Sequence, residues 1–198
     1  MDRDFGGCGR IHAVHEYRSP RTHKRITAKD KVVRDTANAL VSYEFHLRVL
    51  EEVGASMADV LGQQYVPPIS LIPVPNRMGD TSRMLALCTA IRQFGEGICI
   101  QDILEGDPHQ SQCKKHRLEN PPLGIDQIRI RVKKAKRHIG LKNAVLIDNV
   151  VISGTTYLAC RDAIRRTCSL TNAFGNDVDL LVWADARHTI PGAYRRVG

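Results

Sequence analysis

The chain has 198 residues, 42% hydrophobic, 25% charged and only 5% aromatic, with a formal net charge of +8. That length suits one packed domain, no apolar run approaches the roughly 20 residues needed to cross a bilayer, and the charge favours anionic partners. The six cysteines are scattered, several on expected buried faces and without a leader-like segment before them, which points to a reducing cytoplasm rather than a disulfide-built secreted fold.

Residues 1–31 are rich in Gly, His, Arg and Thr and carry Arg18, Arg21, Lys24, Arg25, Lys29 and Lys31. They read as an irregular basic arm, suited to a nucleic acid, a partner subunit or no partner. Cys8, His12 and His15 lack a paired Cys-x-x-Cys and are too few for a zinc site. Gly6-Gly7-Cys8-Gly9 has no strand before it and fails as a dinucleotide fingerprint. From about Lys31 to Val53, Ala37, Leu40, Tyr43, Leu47 and Leu50 recur at helical spacing and predict one helix with a buried stripe.

Ile69 to Pro75 predicts a strand entering a sharp loop, because Pro73 and Pro75 donate no ladder hydrogen bond. A helix is expected from Asp80 to Ser82 onward, with Met84, Leu87, Cys88, Ile91 and Phe94 on one face. Residues 97–104 predict another strand. The polar stretch from there to residue 123 holds Gly106, Pro108, Pro121 and Pro122 and the cluster Lys114, Lys115, His116 and Arg117. A connection that long is usually functional or disordered.

Ile128, Ile130 and Val132 then alternate with Arg129, Arg131 and Lys133, the pattern of a half-buried strand with a basic outer face. Lys134, Lys136, Arg137 and Lys142 extend the charge. The stripe suits a phosphate backbone, and it equally suits an edge strand kept from pairing by its charge. It lacks aromatic residues for stacking on bases.

Residues 144–156 are the most informative stretch. Ala144 to Ile147 is an apolar run ending in Asp148, followed by Asn149, Val150, Val151 and Ile152 and a turn of Ser153, Gly154, Thr155 and Thr156. The run reads as a buried strand of a parallel sheet, and the turn offers N–H groups, hydroxyls and a helix N-terminus to an anion. A plain strand-to-helix turn with a capping hydroxyl has the same composition. Tyr157, Cys160, Ile164 and Cys168 predict the buried face of the next helix, with Arg161, Arg165 and Arg166 outward. Asp177 to Trp183 predicts the last strand, where a lone Trp183 suits the core.

Residues 144–156 resemble the PRPP-binding motif of the type I phosphoribosyltransferases, an apolar strand, two acids, two apolar residues and a hydroxyl-rich loop around glycine. Asp148 matches the first acid and Ser153, Gly154, Thr155 and Thr156 match the 5′-phosphate loop. Asn149 stands in the second acidic position, and Ile152 where Thr or Ser is common. Pro73-Val74-Pro75 also resembles the competence-protein-F-like subgroup. The resemblance implies an α/β fold over residues 32–198, a central mainly parallel sheet flanked by helices, with the basic arm 1–31 as an irregular extension.

It also implies binding of PRPP or a related ribosyl phosphate with Mg2+, and transfer of phosphoribose to a nitrogen acceptor. Asp148 and Asn149 would face the ribose, Asp148 indirectly holding the metal, and Arg77 would take pyrophosphate. Lys114 and Arg117, on a mobile hood, would stabilise the leaving group. Trp183 and Asp185 are candidates for the acceptor base, and a homodimer is expected. The alternative is a catalytically reduced regulatory or accessory protein of the same fold, with a role in nucleotide sensing, DNA uptake or anti-phage defence. It would bind nucleic acid through basic residues 18–34 and 129–142.

Overall fold

The computed structural model describes residues 3–4, 9–18, 25–42, 47–109, 123–171 and 177–186. In chain order the elements are β1 (Arg3–Asp4), β2 (Arg10–Glu16), α1 (Ala28–Ala39), α2 (Leu47–Gln64), β3 (Ile69–Pro73), α3 (Ser82–Phe94), β4 (Ile98–Ile100) and β5 (Leu104–Gly106). They continue with β6 (Ile130–Val132), β7 (Gly140–Lys142), β8 (Ala144–Val151), α4 (Thr155–Thr167), β9 (Ser169–Thr171) and β10 (Asp179–Asp185).

The main sheet runs β1-β2-β10-β8-β3-β4. Only the short β1 is antiparallel to its neighbour; the other pairings are parallel. Central strands of such a sheet are covered on both faces and must be apolar throughout. Every residue of β3 and β10 is buried accordingly, as is Ala144 to Ile147 of β8. One face packs Val33 and Ala37 of α1, Val53, Met57 and Leu61 of α2, and Leu87 and Ile91 of α3. The other packs Tyr157, Cys160 and Ile164 of α4 with Leu104 and Val132 of the small β5–β6 sheet. The expected architecture, a mainly parallel sheet flanked by helices, is the one observed.

Six sequence expectations change, two of them at Leu47 and Phe94, which are expected on buried helix faces and are 75% and 53% exposed at helix ends. Residues 1–31 are not an arm throughout, since Arg10–Glu16 is an interior strand parallel to β10, with Ile11 opposite Leu180. Its period-two signal is broken by His12, which is buried and meets the Tyr65 hydroxyl at 3.1 Å. The single helix expected from Lys31 to Val53 is two helices. The first starts earlier, at a capping box in which the Thr27 hydroxyl accepts from the Asp30 N–H (3.1 Å) and Asp30 accepts from the Thr27 N–H (2.8 Å). That arrangement satisfies two N–H groups the helix itself cannot.

The strand expected over 97–104 splits into β4, in the main sheet, and β5, which pairs antiparallel with β6. Finally, Arg161 points inward rather than outward. It is 7% exposed and forks onto Asp177 at 2.7 and 2.6 Å. The alternation expected over 128–133 holds, with Ile128 and Val132 buried and Arg129 and Arg131 exposed, although only Ile130–Val132 is in the strand. No helix among the described residues is long and apolar enough to cross a membrane.

Candidate functional site

The chain leaves β3 through α3 to β4 on one side, and leaves β8 through α4 to β10 on the other. Because α3 and α4 cover opposite faces, the strand order reverses between β3 and β8, which lie side by side with Pro73 opposite Ile147. A crevice must open beyond the carboxyl ends of two such strands, and ligands of open α/β sheets bind there. A cavity of about 230 Å³ occupies that position. Asp148, Asn149 and Thr156 line it from the β8 side, and Arg77, Asp80 and Arg83 from the β3 side.

Asp148 follows the four fully buried residues of β8 and is itself half-buried at the cavity. Burial pushes its carboxyl up from 3.8 to about 7, partly opposed by the Asn149 N–H, which donates to Oδ1 at 2.8 Å. Desolvation outweighs the single hydrogen bond because no cation among the described residues is paired with the carboxylate to restore what water supplied.

Asn149 has a partner on the other face of the sheet. Its Nδ2 donates to the Ala37 carbonyl at 3.0 Å. A carbonyl only accepts, so the amide nitrogen must face it and Oδ1 is turned away. The bond falls at the C-terminus of α1, where Val41 donates to Asn38 instead of to Ala37. Ala37 O is therefore one of the carbonyls a helix end leaves without an internal partner, and Asn149 supplies the donor.

The 152–156 turn carries the chain from β8 into α4. Gly154 sits at φ +77°, a left-handed conformation suited to glycine. The Ser153 and Thr155 hydroxyls share a hydrogen bond of 3.0 Å. The first α4 ladder bond runs from Leu158 to Gly154, so the N–H groups ahead of it have no carbonyl within the helix, and that of Thr155 donates to the Ser153 hydroxyl at 3.4 Å. Those groups and the positive end of the helix dipole favour an anion.

Across the crevice, Arg77 rides on a tight turn. Asn76 Oδ1 accepts from the Met78 and Asp80 N–H groups at 2.8 and 3.2 Å, and Asp80 O accepts from Asn76 N at 2.8 Å. Gly79, at φ +82°, lets the turn lie on β5, since a Cβ there would stand 1.9 Å from the Gly106 oxygen. The His109 N–H donates to Arg77 O at 2.8 Å and ties down the other side. The Arg77 side chain is exposed and faces the cavity.

The structure thus gathers Asp148, Asn149, Thr156 and Arg77 around one cavity, with Ser153, Gly154 and Thr155 forming the turn beside them. Lys114 and Arg117 lie outside the described residues, as do residues 19–24 of the basic segment. Trp183 and Asp185 are buried and do not line the cavity; Trp183 Nε1 donates to Val33 O at 3.2 Å. Sequence reasoning missed Asp80, Arg83 and His109. Only Asp80 carried a signal, the Asn76-to-Asp80 spacing of an Asx-type turn.

Two cations of the basic stripe and one of the N-terminal segment are in ion pairs. Arg131 pairs with Asp107 at 2.6 Å and Glu105 at 2.9 Å, Lys133 with Asp102 at 2.6 Å, and Arg18 with Glu16 at 3.1 Å. Among the described residues, no group of three His, Cys, Asp or Glu side chains could by itself hold a metal ion.

No protein-family model matches the chain, and no curated protein sequence matches it. Among solved structures it is similar to the crystal structure of adenine phosphoribosyltransferase from Leishmania tarentolae, with a TM-score of 0.44 and 9% identity over 98% of each chain.

Proposed function

We propose that the crevice binds PRPP or a related ribosyl phosphate, and that the protein transfers the phosphoribosyl group to a nitrogen acceptor with release of pyrophosphate. One observation carries the reading: Asp148 and Thr156 of the 144–156 stretch and Arg77, about 70 residues earlier, line one cavity at the point where the strand order reverses. The 5′-phosphate lies on the N–H groups and hydroxyls of residues 153–156, the ribose against Asp148, and the diphosphate towards Arg77. The planar guanidinium suits paired phosphate oxygens.

Bond making is then between the acceptor nitrogen and C1′, as the C1′–oxygen bond breaks and pyrophosphate leaves with the electron pair. The chain's contribution is positioning and charge. Arg77 neutralises the leaving group, and the Asp148 carboxylate stabilises positive charge developing on the sugar. Magnesium fits the donor set only as a substrate-borne ion, because it is commonly held by one or two carboxylates plus phosphate oxygens and water. Asp148 is the carboxylate that would hold it, and the ion would supply further neutralisation of the diphosphate.

A second reading, a ligand-binding protein of this fold with little or no turnover, is favoured by Asn149. The residue in the second acidic position is uncharged and its amide nitrogen is committed to α1. Its nucleic-acid component would depend on the rest of the basic stripe, since Arg131 and Lys133 are paired with carboxylates.

Calorimetric titration with PRPP, with and without magnesium, tests the proposal on the natural protein, Gly154→Val and Arg77→Ala. Magnesium-dependent binding that weakens in both variants is expected. Natural protein that ignores millimolar PRPP would overturn it, and binding without turnover across nitrogen acceptors would select the second reading.

A further inference from the structure

The helix beside the cavity is held to the sheet by few groups. Only Val33 and Ala37 of α1 are buried, followed by Leu40 at its end. Two side chains from neighbouring strands donate to its carbonyls one turn apart, Trp183 of β10 to Val33 O and Asn149 of β8 to Ala37 O. One turn beyond Ala37, Val41 lines the cavity although it is 40% exposed. With Met84 and Val74 it belongs to the apolar part of the cavity's lining, which also holds the polar residues Arg77, Asp80 and Arg83.

We infer that Asn149 is a positioning residue: by capping the C-terminus of α1 from the adjacent strand, it sets Val41 as a wall of the cavity. This rests on the proposed binding of a ribosyl phosphate there and assigns the second motif position a different task from holding ribose hydroxyls. An aspartate in that position has no proton to give to the Ala37 carbonyl. It would also place a negative charge at the end of a helix where the dipole is already negative. The amide is therefore the side chain that this helix placement requires. An apolar wall suits the uncharged sugar face or the acceptor, since burying phosphate oxygens against Val41 and Met84 would leave them without donors.

A double-mutant cycle tests this, with PRPP and magnesium titrated into the natural protein, Asn149→Ala, Val41→Ala and the double variant. Acting through Val41, Asn149→Ala weakens binding by about 10-fold alone and by less than about 2-fold when Val41 is already truncated, a coupling of the size contacting residues show. Equal losses in both backgrounds would overturn the inference and assign Asn149 Oδ1 to direct contact with the ligand. Amide hydrogen exchange on the unliganded proteins gives an independent answer. Leu40, Val41 and Ser42 should lose protection in both Asn149→Ala and Asn149→Asp while the sheet keeps its own, and unchanged protection would again overturn the inference. If the natural protein does not bind PRPP, the ligand assignment fails, and exchange alone still decides whether Asn149 holds the α1 terminus.

Discussion

Asp148 should make the protein less stable as the pH rises. Its carboxyl titrates near 3.8 in the unfolded chain and is pushed up to about 7 in the fold. Between those values the native state holds a proton that the unfolded state has lost, so stability falls with rising pH, by about 1.4 kcal/mol per pH unit. Across the whole window of about three units, the ceiling is about 4 kcal/mol, complete once the pH passes about 7. Because the group opens on a cavity that water can enter, about 2–4 kcal/mol is expected. The assay is urea unfolding of the natural protein and Asp148→Asn at intervals from about pH 4 to about pH 8, comparing the difference between the two proteins so that other titrations cancel. Asp148→Asn should match the natural protein at the acid end, gain relative stability towards neutrality and level off above about pH 7. A difference that stays flat would refute the reasoning, showing that water or an ion already solvates the carboxylate. A carboxylate that costs stability at neutral pH is the pattern expected of a group kept for binding or catalysis.

Gly79→Ala should cost about 2–4 kcal/mol, from the left-handed backbone and from a Cβ driven into the Gly106 carbonyl, and should weaken PRPP binding as the Arg77 turn lifts off β5; unfolding and titration together check both. Arg161→Ala should cost about 2–3 kcal/mol, because it removes the fork that holds the partly buried Asp177 carboxylate and leaves it Arg165 at 3.9 Å and the Val178 N–H, whereas Asp177→Asn should cost less. The same Arg161 contact holds Asp177 below the usual carboxylate range despite the opposing effect of burial, so its contribution is lost as the pH falls through the acid range. Thr27→Ala should cost about 1 kcal/mol through loss of the α1 N-cap, read as a shift in urea midpoint at unchanged slope.

The features legible along the chain were those in which neighbouring residues carry their own reason. Ala144 to Ile147 is apolar because a central parallel strand is covered twice, and the Ser153–Thr156 turn shows its hydroxyls and glycine in consecutive letters. The same holds for β3, for the Met84–Ile91 face of α3 and for the Ile128–Val132 alternation. Strand β2 was hidden because His12 looks polar until Tyr65, far away in the chain, satisfies it. Arg161 looked exposed for the same reason, its partner Asp177 being supplied by another segment. Gln101 to Ile103 separates two strands that the sequence runs together, because Gln101 N bonds to Leu71 while β5 pairs with β6.

The sequence by itself determined which strand ends in the acid and where the hydroxyl- and glycine-bearing turn follows it, since both depend on local order and backbone conformation. Only the tertiary structure decided that Arg77 reaches the same cavity, through the reversal of strand order between β3 and β8. It also decided that Asn149 spends its amide on the end of α1, because a hydrogen bond is assigned by whichever group lies across from it and the sequence does not encode that distance.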